Sequence, residues 1–118
     1  MSIEAAEGYI ELGLFHDAWD ALEDLEPAQK TMPAVIRLRL QCALGFERWM
    51  MVETLADLLA QGEESDREGA ARAYHLLVVV SLRVKRIETA KRFVAKAVEA
   101  WPAIRSEIID DPDLSELF

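Results

Sequence analysis

The segment HDAWDALED, residues 16–24, places a histidine and three aspartates at spacings that could support metal chemistry. Asp17, Asp20 and Asp24 recur three and four residues apart, so in a helix their carboxylates would lie on one face. Three such carboxylates can bind a hard cation, but no glycine turn shapes a chelating loop around them. A carboxylate at Asp17 is also stabilised by the dipole at a helix N-terminus. We therefore expect His16 and the three aspartates to form a solvated helix face.

The other candidate ligands are scattered along the chain. His75 has no second histidine three or four residues away, and Cys42 is the only cysteine, so the spacing of a zinc site is missing. Asp110, Asp111 and Asp113 lack the glycine and the terminal glutamate of a calcium loop; they indicate a helix end followed by a new helix start. Phosphate-binding, nucleophile-elbow and metalloprotease motifs are absent from the sequence. We expect no catalytic residue, no cofactor and no metal, and hence no enzyme.

The sequence Trp49-Met50-Met51 allows two interpretations. Flexible methionines beside an aromatic ring can form an adaptable binding surface, but they more commonly fill gaps in a core. The second interpretation is the expectation.

The elements that must position these residues follow from composition. With 118 residues, 52% of them hydrophobic, the chain is long enough for one compact domain. Acidic residues number 22 against 13 basic ones, a formal charge of −9, which argues against nucleic acid as the main partner. The balance is uneven: it is −7 over residues 1–30 and +6 over residues 70–105. Complementary charged regions of this kind favour contacts between copies, and therefore a possible homo-oligomer.

The compartment is predicted from segments that are missing. The start, MSIEAAE, has no basic region followed by an apolar stretch and is not a signal peptide. The longest apolar run, Leu76 to Val80, is far shorter than the roughly 20 residues of a membrane span, so no membrane partner is expected. A lone Cys42 among apolar residues fits a buried thiol in a reducing compartment. These features predict a cytoplasmic protein.

The residue pattern predicts an all-α protein. Ala, Leu, Glu and Arg dominate, and the alternation typical of strands is absent. Gly13, Pro27 and Pro102 end helices, and Thr31 is a candidate N-cap before Pro33. The polar segment GEESDREG, residues 62–69, is predicted to be a loop. The expected helices cover about residues 2–12, 16–26, 33–45, 48–61, 70–84 and 87–101, with a short helical segment at 103–110.

Apolar residues recur at a fixed period along this pattern. In the second helix of each predicted hairpin, four apolar positions align at offsets of 34 and 38 residues. A fixed period of this length is the signature of a repeat protein, although a non-repeating six-helix bundle is the alternative. The aligned sets are Phe15, Trp49 and Ile87; Ala18, Val52 and Ala90; Leu22, Ala56 and Val94; and Leu25, Leu59 and Ala97.

The 34-residue helix–turn–helix period resembles the tetratricopeptide repeat. The first copy has the small, aromatic, turn and second small residues of that consensus, and the third ends in Pro102. The middle copy departs from it, with Leu40 and Val52 at small positions and Arg39 where leucine is usual. The consensus residues of the first copy are Ala6, Tyr9, Gly13, Phe15 and Ala18; those of the third are Tyr74, Leu77, Ile87, Ala90 and Ala97.

The resemblance implies a right-handed superhelical array of three antiparallel helical hairpins in a single domain. The repeats would span about residues 1–30, 31–68 and 69–102, and residues 103–118 would form a C-terminal cap. In this cap Ile104, Ile108 and Ile109 would pack on the third hairpin, followed by Leu114, Leu117 and Phe118.

In the resembled family, the first helices of the hairpins line a groove that binds peptides or protein segments. This resemblance implies a non-enzymatic protein-interaction scaffold. Ile3 and Glu7 stand where one subset of the family clamps a terminal carboxylate, so that ligand is not expected here. The implied partner-binding residues are Ile3, Glu7 and Ile10 in the first copy; Arg37, Leu38, Gln41 and Leu44 in the second; and Arg72, His75, Leu76, Val79, Leu82 and Arg83 in the third.

The alternative is a structural or self-assembling module. In that case the groove would be covered by the chain's own C-terminal tail or by a second copy of the protein.

Overall fold

A computed structural model describes residues 3–118, and every regular element in that range is helical. The elements are the helices α1 Ile3–Glu11, α2 Phe15–Glu23, α3 Pro27–Lys30, α4 Pro33–Phe46, α5 Trp49–Leu59, α6 Glu64–Arg83, α7 Ile87–Ala100 and α8 Ile104–Asp110, followed by a 3-10 helix at Pro112–Leu117. The chain divides into two compact units, one ending at Leu58 and one running from Leu59 to Phe118.

The first unit is built around small and aliphatic side chains of α1, α2 and α4. These three helices contact one another. Ala6, Ala18 and Ala21 are fully or almost fully buried, as expected where helices approach closely and a larger side chain would separate them. Leu22, Leu25, Val35, Leu38 and Cys42 complete this core.

The second unit is built on the long pair α6 and α7. Tyr74 and Phe93 lie across this interface with ring centroids 6.4 Å apart and nearly parallel planes. The chain then returns, because α8 contacts both α6 and α7, and the 3-10 helix contacts α6 and α8. Ile104, Ile108 and Leu114 are buried, as expected for a capping segment, whereas Ile109 is 44% exposed and Phe118 is also exposed, contrary to expectation. Leu117 is half-buried.

Three turns of the chain share one backbone geometry. Gly13, Glu47 and Lys85 each have a positive φ, of 74°, 56° and 62°. Each amide donates to a carbonyl three residues earlier, and the amide of the next residue donates five residues back, for example Arg86 N–H to Ser81 O at 2.9 Å. These bonds form a Schellman motif, which satisfies carbonyls left over at a helix C-terminus. The three residues are 34 and 38 positions apart, the same offsets as the aligned apolar positions.

The twelve aligned apolar positions are all at least half-buried. The four positions at the first offset step (Ala18, Val52 and Ala90) and the last (Leu25, Leu59 and Ala97) are the most completely covered sets. The periodic pattern therefore corresponds to real burial as well as to a recurring turn.

Two local expectations are wrong. Residues 64–69 belong to α6, so the predicted loop at 62–69 shrinks to the few residues before Glu64, and the repeat boundary at 68/69 falls inside a helix. Glu64 and Asp66 favour a helix start because carboxylates are stabilised in a first turn. Thr31 is not an N-cap; it ends α3, and its hydroxyl donates to the carbonyl of Ala28.

Candidate functional site

The expected binding residues of α1 and α4 divide into an exposed polar set and a set that packs inward. Glu7, Arg37 and Gln41 are exposed. Leu38 is 9% exposed and belongs to the core of the first unit. It cannot offer an apolar pocket to a ligand, which corrects the expectation for that residue. Ile3 and Ile10 are half-buried against the same core, and Leu44 is half-buried.

On α6 the expected binding residues contact the chain's own C-terminal segment. A nitrogen of the Arg72 guanidinium lies 3.4 Å from a carboxylate oxygen of Glu107 in α8, and another lies 3.1 Å from Glu68 one turn earlier. The guanidinium also lies over the ring of Trp101, 5.4 Å from its centroid. The hydrogen bonds to Glu68 and Glu107 raise the pKa of Arg72 above its usual value.

His75 makes the shortest of these contacts. Its Nε2 lies 2.8 Å from Oδ2 of Asp111, between α8 and the 3-10 helix, and both side chains are mostly covered. The second carboxylate oxygen of Asp111 accepts a hydrogen bond from the backbone N–H of Asp113 at 2.9 Å. This N–H and, next, His75 hold the pKa of Asp111 below its ordinary value, because both bonds favour the ionised carboxylate.

The remaining α6 residues have different surroundings. Leu82 is buried and, like Leu38, is unavailable to a ligand, which corrects that expectation as well. Val79 is half-buried, and Leu76 and Arg83 are exposed. Arg72 and His75 are thus brought together with one polypeptide segment, whereas Leu82 and Arg83 are not part of that contact.

Arg39 is an important residue whose role the sequence pattern did not reveal. Its guanidinium is only 11% exposed and donates to Oε1 of Glu23 at 2.8 Å. It also lies over the ring of Trp19, 4.6 Å from the centroid, an arrangement suited to its planar shape. The bond from Arg39 lowers the pKa of Glu23. The signal in the sequence was the arginine at a position where leucine is usual.

The carboxylates that open the sequence argument do lie at the surface. Asp17, Asp20 and Asp24 are exposed on α2. His16 is also exposed, but its ring lies against Phe46 with centroids 4.6 Å apart. Among residues 3–118, no group of three or more histidine, cysteine, aspartate or glutamate side chains is arranged to hold a metal ion.

Two further expectations concern sulfur side chains. Met50 is 87% exposed and does not fill a core, which corrects the expectation for that residue. It lines a wide, shallow surface pocket of about 600 Å³ together with Arg48, Trp49, Met51 and Thr54. Cys42 is buried as expected, and this burial raises the pKa of its thiol.

Comparison with known proteins does not add to these contacts. No family model, no curated protein and no solved structure matches the chain. Within the described residues, none of the helices combines the length and the apolar character that a membrane crossing requires.

Proposed function

We propose that the chain is a non-enzymatic, tetratricopeptide-like interaction scaffold that holds a segment of a partner protein on the exposed face of α4. The observation that supports this proposal is the contact between His75 and Asp111. Arg37 precedes His75 by 38 residues, the repeat offset, and therefore holds the equivalent position on α4. On α6, that position binds a carboxylate of another polypeptide segment.

The chemistry of the α4 face fits the same kind of ligand. Arg37 and Gln41 are exposed one turn apart, and Leu44 is half-buried next along the same face. An arginine can bind a carboxylate with two parallel hydrogen bonds, more strongly than a neutral donor can. The expected ligand is therefore a peptide segment with an acidic residue next to an apolar one, which is also the composition of the segment on α6.

Site-specific photocrosslinking tests this proposal. A photoreactive amino acid at Gln41 is expected to capture a reproducible set of proteins in cells, and Arg37→Glu is expected to abolish the capture by repelling the ligand's carboxylate. The same amino acid at Glu88, an exposed residue of α7, is the control position. Unchanged capture with Arg37→Glu, or the same proteins at both positions, would contradict binding on the α4 face. Circular dichroism of each variant checks that the fold is retained.

The second candidate function is a structural module that binds no external segment. The contacts of α8 and the 3-10 helix with α6 favour it, because they occupy one expected binding face with the chain itself. Absence of any capture at Gln41 under conditions in which a known scaffold control gives captures would favour this second function.

A further inference from the structure

The turn between α6 and α7 presents three cations around an apolar residue. Arg83, Lys85 and Arg86 are exposed, and Val84 between them is 61% exposed. Within residues 3–118, none of these three cations forms an ion pair. We name residues 83–86 the basic turn.

The backbone holds the basic turn in a fixed shape. Lys85 N–H donates to Leu82 O at 3.0 Å, and Arg86 N–H donates to Ser81 O at 2.9 Å. Lys85 has a φ of 62°, a conformation that is unfavourable for every residue with a Cβ and that Gly13 adopts without strain in the first turn. Backbone geometry therefore favours glycine at position 85, and a requirement of the fold does not explain the lysine.

A complementary surface is present in the same chain. Asp17, Asp20 and Asp24 lie on one face of α2, are exposed, and form no ion pair within the described residues. Asp20 and Asp24 are one helical turn apart, so their Cβ atoms are separated by about 6 Å. Two carboxylates at that separation can pair with neighbouring cations such as Lys85 and Arg86.

We propose that the basic turn of one copy of the protein binds the Asp20 and Asp24 face of a second copy. Such a contact joins two different surfaces, so it generates a ring or an open chain of copies instead of a closed two-fold dimer. Val84 contributes by losing contact with water when the surfaces meet. The proposal is independent of ligand binding at Arg37, since it uses neither α4 nor the C-terminal segment.

The net charge decides which conditions favour this contact. Each copy carries −9, so copies repel one another at long range. The repulsion between distant groups is screened beyond a Debye length of about 10 Å at 0.1 M salt, whereas groups in direct contact are screened less. A contact that consists mainly of ion pairs is nevertheless weak and is lost at high salt. The same net charge disfavours nucleic acid, which would need a far larger basic surface.

Sedimentation velocity with reversed charges tests the contact. Wild type is expected to sediment above its monomer mass of 13.3 kDa at about 20 mM NaCl and as a monomer at about 500 mM, where the Debye length falls to roughly 4 Å. Lys85→Glu with Arg86→Glu is expected to give a monomer, and so is Asp20→Lys with Asp24→Lys. An equimolar mixture of the two variants is expected to associate, because opposite charges then face each other again.

The substitutions are compatible with the fold. Glu47 has the same left-handed conformation as Lys85, so glutamate is tolerated there. Arg86 is at the N-terminus of α7 and Asp24 is at the C-terminus of α2, so both charge reversals suit the helix dipoles. Arg67→Glu with Arg105→Glu is the matched control, because it makes the same change in net charge at exposed residues of the second unit.

Four results would overturn the proposal. They are a wild-type monomer at low salt, association of either variant alone at the wild-type level, a mixture that stays monomeric, and a control double variant that loses association. Sedimentation of monomeric wild type with vesicles of phosphatidylserine and phosphatidylcholine, abolished by Lys85→Glu with Arg86→Glu, would instead assign the basic turn to a membrane surface.

Discussion

The outward face of α4 and the outward face of α6 have equivalent positions but different surroundings. Arg37 on α4 is exposed, whereas His75, 38 residues later on α6, is 2.8 Å from the Asp111 carboxylate. The difference arises from the chain beyond α7, which turns back so that α8 and the 3-10 helix contact α6. Whether a helix face is open to a ligand thus depends on where the following chain runs as much as on the residues of that face.

The largest expected effect comes from removing an apolar residue that holds the C-terminal segment in place. Ile108 is 1% exposed, so Ile108→Ala deletes buried methyl groups and is expected to lower the free energy of unfolding by about 3 kcal/mol. Urea denaturation followed by circular dichroism measures this change. Ile109→Ala, in the same helix at an exposed position, is the control and is expected to change it by less than about 1 kcal/mol. Equal losses in the two variants would mean that α6 is not covered as described.

A smaller effect tests whether α4 and α6 end in the same way. Glu47→Gly and Lys85→Gly both replace a residue of positive φ with the residue that adopts it without strain. Each is expected to raise the free energy of unfolding by about 0.5 to 1 kcal/mol, after allowing for the greater freedom of glycine in the unfolded chain. Glu47→Ala and Lys85→Ala retain the strained conformation and serve as controls. A gain at only one of the two turns would show that the shared geometry is not energetically equivalent.

The smallest expected effect concerns pH and only the covered face. The pKa of Asp111 is lowered from 3.8 in the folded chain, so its ionised carboxylate stabilises the fold above that pH. This stabilisation is lost as the pH falls through the folded pKa, in the region of about pH 4 to 2. Because Glu23 contributes in the same direction, the pH dependence of unfolding should become shallower in Asp111→Asn without disappearing. A slope unchanged from wild type, or equally changed by Asp110→Asn, would contradict this role.

Much of the helical pattern was predictable from the sequence, because burial and turn formation leave local signals. The aligned apolar positions are all buried or half-buried. Gly13 has the left-handed conformation that its position in a turn indicates, and Pro112 begins the element that follows Asp110 and Asp111. These features depend on residue type and spacing alone, so they need no knowledge of distant contacts.

The contacts that decide the candidate site were not predictable in the same way. Arg72 and His75 have their partners 35 and 36 residues later in the chain, and exposed charges at such separations carry no periodic signal. Leu38 was expected to face a ligand but faces the core, because a helix with apolar residues on several sides does not indicate which side is buried. Residues 64–69 were misassigned because Gly62 and Gly69 at the two ends outweighed the helix-forming residues between them.

The greater length of α6 has a consequence for how this architecture tolerates change. The two repeat offsets differ by four residues, and four residues are close to one turn of an α-helix, about 6 Å of its axis. An insertion of that size lengthens a helix while rotating the following residues by only about 40°. Natural relatives and designed variants should therefore accept length changes of three, four or seven residues before Ala70, and reject changes of two, which would turn the apolar face of α6 towards water.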